Sequence, residues 1–174
     1  MNTLKKTIGI IIAAAFLLGC QSSKNRLREQ IVLLEEEVYA GFDVKKIEKL
    51  SFLYQEYINT FPQDSMVIAY LFKSGGINIT LRKGAEALSD FTALIERFPQ
   101  SPHVAEAHYY RAYVYEDIIY DIESAKIAYN EFINRFPDHQ LVQDAKLSVQ
   151  YLGMSPDEIV ASFEEKEDDN GIRE

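Results

Sequence analysis

A Phe-Pro pair returns three times in this chain, at Phe61-Pro62, Phe98-Pro99 and Phe136-Pro137, at intervals of 37 and 38 residues. The residues ahead of each pair repeat as well. They read Leu50-x3-Tyr54-x2-Tyr57-Ile58, Ala87-x3-Phe91-x2-Leu94-Ile95 and Ala125-x3-Tyr129-x2-Phe132-Ile133. Apolar residues stepping by 4, 3 and then 4 fall along one stripe of a helix. The proline then stops that helix, because it lacks an N–H and disfavours helical geometry in the residue before it. A chain that repeats a helix and its stop at this period is an array of supersecondary units that stack to share a core.

Each stop is followed by another helical pattern. Ser101-Pro102 reads as an N-cap followed by proline at the first helical position, ahead of a stripe of Val104, Ala107, Tyr115 and Ile118. Asp138 reads as the cap of a helix with Val142, Ala145, Val149 and Leu152 inside and Gly153 at its end. Ser155-Pro156-Asp157-Glu158 is a capping box ahead of Ile159, Val160 and Phe163. The pattern predicts helices over 25–40, 43–61, 64–82, 84–98, 101–119, 122–136, 138–152 and 155–165, and no strand.

Ala, aromatic, large apolar residue and Phe-Pro, in that order, resemble the second helix of a tetratricopeptide repeat. The resemblance implies an all-α solenoid of helical hairpins. Three hairpins, 25–61, 64–98 and 101–136, would be closed by a capping helix pair over 138–165. In this chain Tyr57, Leu94 and Phe132 stand where such repeats usually carry a second small residue. The period also exceeds the usual length of about 34 residues. Both features resemble the longer repeats of bacterial envelope proteins: the D-subunit lipoprotein family of outer-membrane β-barrel assembly and, less closely, the Tol-Pal-associated repeat protein.

Lys5 and Lys6 precede an apolar run from Ile8 to Leu18, the charged and hydrophobic regions of a secretory signal, too short to span a bilayer. The run ends in Leu17-Leu18-Gly19-Cys20, which resembles a bacterial lipobox. That resemblance implies cleavage after Gly19, a diacylglycerol on Cys20 and acylation of the new N-terminus. Gln21, in place of an acid, resembles the pattern that sends such proteins to the outer membrane, facing the periplasm. The organisation expected is therefore a lipoprotein signal peptide (1–19), an acylated N-terminus and short linker (20–24), a tetratricopeptide-like domain (25–165) and an acidic disordered tail (166–174).

Cys20 is the only cysteine, so the mature domain has no disulfide, no Cys-based metal site and no thiol nucleophile. Loss of Lys5 and Lys6 with the signal takes the formal charge from −9 to −11. So acidic a chain is repelled by nucleic acid and by anionic headgroups. Membrane attachment then rests on acyl chains, at about 0.8 kcal/mol per buried methylene.

No residue constellation points to catalysis, a metal or a cofactor. His103 and His108 are five apart, on different helical faces, and His139 opens a helix; all three read as structural, solvated or half-buried histidines. Glu35-Glu36-Glu37, Glu164-Glu165 and Glu167-Asp168-Asp169 read as solvated charge. Ser74-Gly75-Gly76 inside a helical pattern reads as close helix packing, with a kink or hinge as the alternative. Leu27, Ile31, Leu34 and Val38 form a seam too short for a coiled coil, and the neighbouring Val32 and Leu33 widen it towards a packed first helix.

Tyr109, Tyr110, Tyr113 and Tyr115, with Arg111, crowd one helix beyond what one buried face can hold. Tyr and Arg are favoured in binding hot spots. Tyr109, Tyr110, Arg111 and Tyr113 are thus the candidate protein-binding groove, and packing of the longer hairpins is their other reading. Together these features describe a lipid-anchored periplasmic scaffold that binds an envelope protein or peptide, in outer-membrane protein assembly or envelope maintenance. A homo-oligomeric envelope lipoprotein joined through its first helix, and a Tol-Pal-linked coordination factor, are the alternatives.

Overall fold

The computed structural model describes residues 22–169, and all regular structure among them is helical. The helices are α1 (22–40), α2 (Val44–Thr60), α3 (Met66–Thr80), α4 (Gly84–Arg97), α5 (Val104–Tyr113), α6 (Ile122–Arg135), α7 (Val142–Tyr151) and α8 (Pro156–Asp169). α5 continues as a π-helical segment, Val114–Ile119. None of these helices is long and apolar enough to cross a membrane. The signal segment 1–19, Cys20, Gln21 and residues 170–174 lie outside the described residues. The chain divides into two compact units, Met1–Leu81 and Arg82–Glu174.

The three Phe-Pro stops have one geometry. Phe61, Phe98 and Phe136 leave their helices at ψ of 56°, 57° and 57°, each still donating its N–H to the carbonyl four residues back. Each phenylalanine carbonyl then accepts the N–H three residues on, from Asp64, Ser101 and His139. Those residues in turn accept from Val67, Val104 and Val142, which are buried and open the inner stripe of the next helix. The same three side chains also cap the turn: Asp64 Oδ1 accepts from the Met66 N–H, Ser101 Oγ from His103 and His139 Nδ1 from Leu141. Short side chains with an acceptor suit this turn because they satisfy N–H groups that no helical carbonyl reaches.

This geometry corrects two expected helix starts. Ser101-Pro102 forms a turn and α5 starts at Val104, not at the proline. Asp138 is not the cap of α7: the helix starts at Val142 behind Leu141, whose N–H is held in the turn by His139 Nδ1. At the far end of the chain, the Ser155–Glu158 capping box is present. The Glu158 N–H is bonded to Ser155 Oγ (3.3 Å) and Glu158 Oε2 accepts from the Ser155 N–H (2.7 Å). Gly153 ends α7 at φ +78°, and α8 runs to Asp169, past the expected end at 165.

In the first unit, Leu50, Tyr54, Tyr57 and Ile58 are buried as the periodicity demands. Tyr70 of α3 packs between two of them, stacked on Tyr54 (5.1 Å) and edge-on to Tyr57 (4.8 Å). Such pairs add about 0.5–1.5 kcal/mol each beyond area burial. Leu27, Ile31 and Leu34 of α1 are buried, but Val32 and Leu33 are about half exposed and do not widen the packed stripe as expected. α1 is already helical at Ser22, so the segment to Asn25 is a helical turn and not a free spacer. α3 is continuous through Ser74-Gly75-Gly76, with Ser74 and Gly75 buried and Ser74 Oγ accepting from Gln55 Nε2 at 3.0 Å. That favours the packing reading over a hinge.

In the second unit α5, α6 and α7 enclose a core of Ala105, Ala112, Ala128, Tyr129, Phe132, Val142 and Ala145. Ala125 and Ala128 let α6 approach closely, while Tyr129 and Phe132 fill the space between the helices.

Candidate functional site

The four candidate residues on α5 are all half-buried, and the structure separates their roles. Tyr109 packs against the core, edge-on to Tyr129 (5.7 Å) and Phe132 (5.6 Å). Tyr110 turns the other way and stacks on Phe91 of α4 with centroids 5.7 Å apart. Its ring also meets Tyr109 edge-on at 5.6 Å. Arg111 reaches Glu131 of α6 at 3.6 Å. Tyr113 donates its hydroxyl to Asp117 Oδ2 at 3.2 Å. Burial, then the Asp117 carboxylate, holds the Tyr113 hydroxyl above the usual tyrosine range; burial does the same for Tyr109.

Glu131 is a hub that the sequence did not reveal. Its carboxylate lies 3.5 Å from His108 Nδ1, 3.6 Å from Arg111 and 4.0 Å from Arg135. His108 is 2% exposed, more deeply buried than the solvated or half-buried state expected. Its Nε2 has no hydrogen-bond partner among the described residues. Burial lowers its pKa below 6.5, against the opposing pull of Glu131. His103 and His139 are half-buried at turns, as read. Among the described residues no group of three His, Cys, Asp or Glu could hold a metal ion.

The π-helical end of α5 is the second feature invisible from sequence pattern. Tyr120 follows it at φ 61°, and the Tyr115 carbonyl accepts the N–H groups of both Tyr120 and Asp121. Such widened turns insert residues without breaking the helix, and they recur at functional positions. Arg82, itself at φ 54°, clasps this end: Nη1 donates to Asp117 Oδ2 (2.9 Å), and Nη2 to Tyr120 Oη (3.0 Å) and to the Asp117 carbonyl. Two left-handed non-glycine residues cost roughly 1–2 kcal/mol each, and here they bond to one another. Tyr113, Asp117, Arg82 and Tyr120 thus form one polar and aromatic cluster continuous with the α5 row.

Residues 106–139, which run from α5 through the π-helical segment and α6 to the third Phe-Pro turn, match the tetratricopeptide repeat family. No curated protein matches the chain. The architecture is therefore an all-α, tetratricopeptide-like helical repeat fold, and a fold of that kind supports a protein–protein interaction scaffold.

Proposed function

We propose that this chain is a lipid-anchored scaffold of the bacterial envelope, held at the periplasmic face of the outer membrane through Cys20. It binds an envelope protein or peptide there, in outer-membrane protein assembly or envelope maintenance. The observation that carries the reading is the half-exposed row Tyr110, Arg111 and Tyr113 on a repeat hairpin, extended by Arg82 and Tyr120. Rigid aromatic rings and a guanidinium, held by neighbours and still open to solvent, lose little entropy on binding.

The anchor reading rests on Leu17-Leu18-Gly19-Cys20 and on Gln21. α1 is helical from residue 22, so a lipid at Cys20 would hold the domain within about 7 Å of the leaflet at an extended-chain rise of about 3.5 Å per residue. Tethering then raises the effective concentration of scaffold and partner at one surface.

Metabolic labelling with a fatty-acid analogue tests the anchor. The wild-type chain incorporates label and fractionates with outer membrane, whereas Cys20→Ala folds but carries no label. Label on Cys20→Ala, or none on the wild type, rejects the anchor and leaves the binding surface to be tested separately.

A further inference from the structure

We propose that α8 of one copy docks in a groove between α1 and α2 of a second copy, so that the chain self-associates head to tail. The proposal depends neither on the lipid anchor nor on the tyrosine row.

α8 is a helix without a core. Pro156–Phe163 contains no buried residue; Val160 is 56% exposed and Phe163 51%, with the Phe163 ring meeting Tyr151 at 5.6 Å. Fourteen residues make a helix of marginal stability when nothing covers its apolar stripe. Its N-terminus is nevertheless fastened by the Ser155–Glu158 box. A capped amphipathic helix with an open apolar side is the ligand half of helix-in-groove recognition.

The receptor half is on the first unit. Gln30, Leu33, Leu34, Glu37, Lys46, Lys49 and Leu53 line a groove of about 370 Å³ between α1 and α2. Leu33 on its rim is 54% exposed, and Val32 beside it 48%. The floor is leucine and the α2 wall carries Lys49 and Lys46, the latter paired with Glu37 of α1 across the groove at 3.0 Å. α8 begins with the exposed Asp157 and Glu158, and its sequence continues Glu164-Glu165-Lys166-Glu167-Asp168-Asp169.

Charge therefore selects the occupant. In a chain of net charge −9, a second copy would be repelled almost anywhere, but here an acidic helix meets a groove whose charged lining, Lys46, Lys49 and Glu37, is net positive, with Lys49 beside the Lys46–Glu37 pair. Because the two patches differ, the contact is heterologous and one copy presents both halves.

Sedimentation of the full chain in mild detergent, over a range of concentrations, tests the proposal. The expected average mass rises with concentration for the wild type, while Leu33→Asp and Val160→Asp each stay monomeric, their association weakened roughly tenfold or more. Mixed together they form a one-to-one dimer, because each retains the half that the other lacks. Both sites are exposed, and circular dichroism checks that each variant keeps wild-type helicity. A wild type that is monomeric throughout overturns the proposal, as does a Val160→Asp chain that still associates. Two monomeric variants that fail to pair on mixing overturn it equally.

Discussion

The hydroxyl of Tyr129 donates to Glu116 Oε2 across 2.6 Å, joining the buried aromatic of α6 to the π-helical end of α5. The first repeat makes the same link: Tyr54 of α2 donates to Glu35 Oε1 of α1, also at 2.6 Å. Tyr54 and Tyr129 hold the same position ahead of their Phe-Pro stops, where the middle repeat has Phe91. Burial, then the bonded carboxylate, pushes both phenols far above the ordinary tyrosine range.

Tyr129→Phe leaves a half-buried carboxylate without its donor and costs about 1–2 kcal/mol. For a domain of this size that lowers Tm by roughly 3–6 °C. Tyr54→Phe costs less, because Lys73 Nζ still reaches Glu35 at 2.8 Å. Thermal melts of the two variants check both the loss and its order.

Gly76 and Gly84 respond oppositely to alanine. A Cβ at Gly76 meets nothing within 4 Å, so Gly76→Ala stabilises the exposed helix position by about 0.5–1 kcal/mol. A Cβ at Gly84 lies 2.9 Å from Ile119 Cγ1 and 3.1 Å from Ile118 Cγ2, where the π-helical segment crosses the start of α4. Gly84→Ala therefore destabilises, by about 1–3 kcal/mol. Adding Ile119→Ala recovers part of that loss in denaturant titrations, and a fully additive double variant would place the clash elsewhere.

His108 makes stability depend on pH. The unfolded imidazole takes a proton near 6.5, whereas burial holds the folded one lower. Between those values the unfolded chain binds more protons, so this contribution is complete above 6.5 and declines as pH falls below it. His108→Leu flattens that slope. At neutral pH it removes the long 3.5 Å contact of Nδ1 with Glu131, while Nε2 has no partner to lose. Urea midpoints across the window, wild type against variant, measure the difference.

The repeat was legible because Phe-Pro and the 4-3-4 stripe are local signals, and all eight expected helices are present, with shifted ends. Val67 and the capping roles of Asp64, Ser101 and His139 were less visible: one turn geometry is served by three different side chains. The π-helical segment had no signature at all, since widening a helix leaves the residue types of its stripe unchanged. Tyr109 shows the limit at the site. Crowding on α5 required some rings to be open, but only packing against Tyr129 and Phe132 reveals that Tyr109 is committed to the core.

The central claim is that this repeat presents a protein-binding surface through Arg111 and Tyr113 and not through Tyr109. Crosslinking in intact membranes, followed by capture of the wild type and of the Arg111→Ala/Tyr113→Ala variant, tests it most directly. The variant should keep its helicity and its Tm within a few degrees, because neither side chain belongs to the buried core, and lose the partner seen with the wild type. A folded variant that still captures the same partner would contradict the claim.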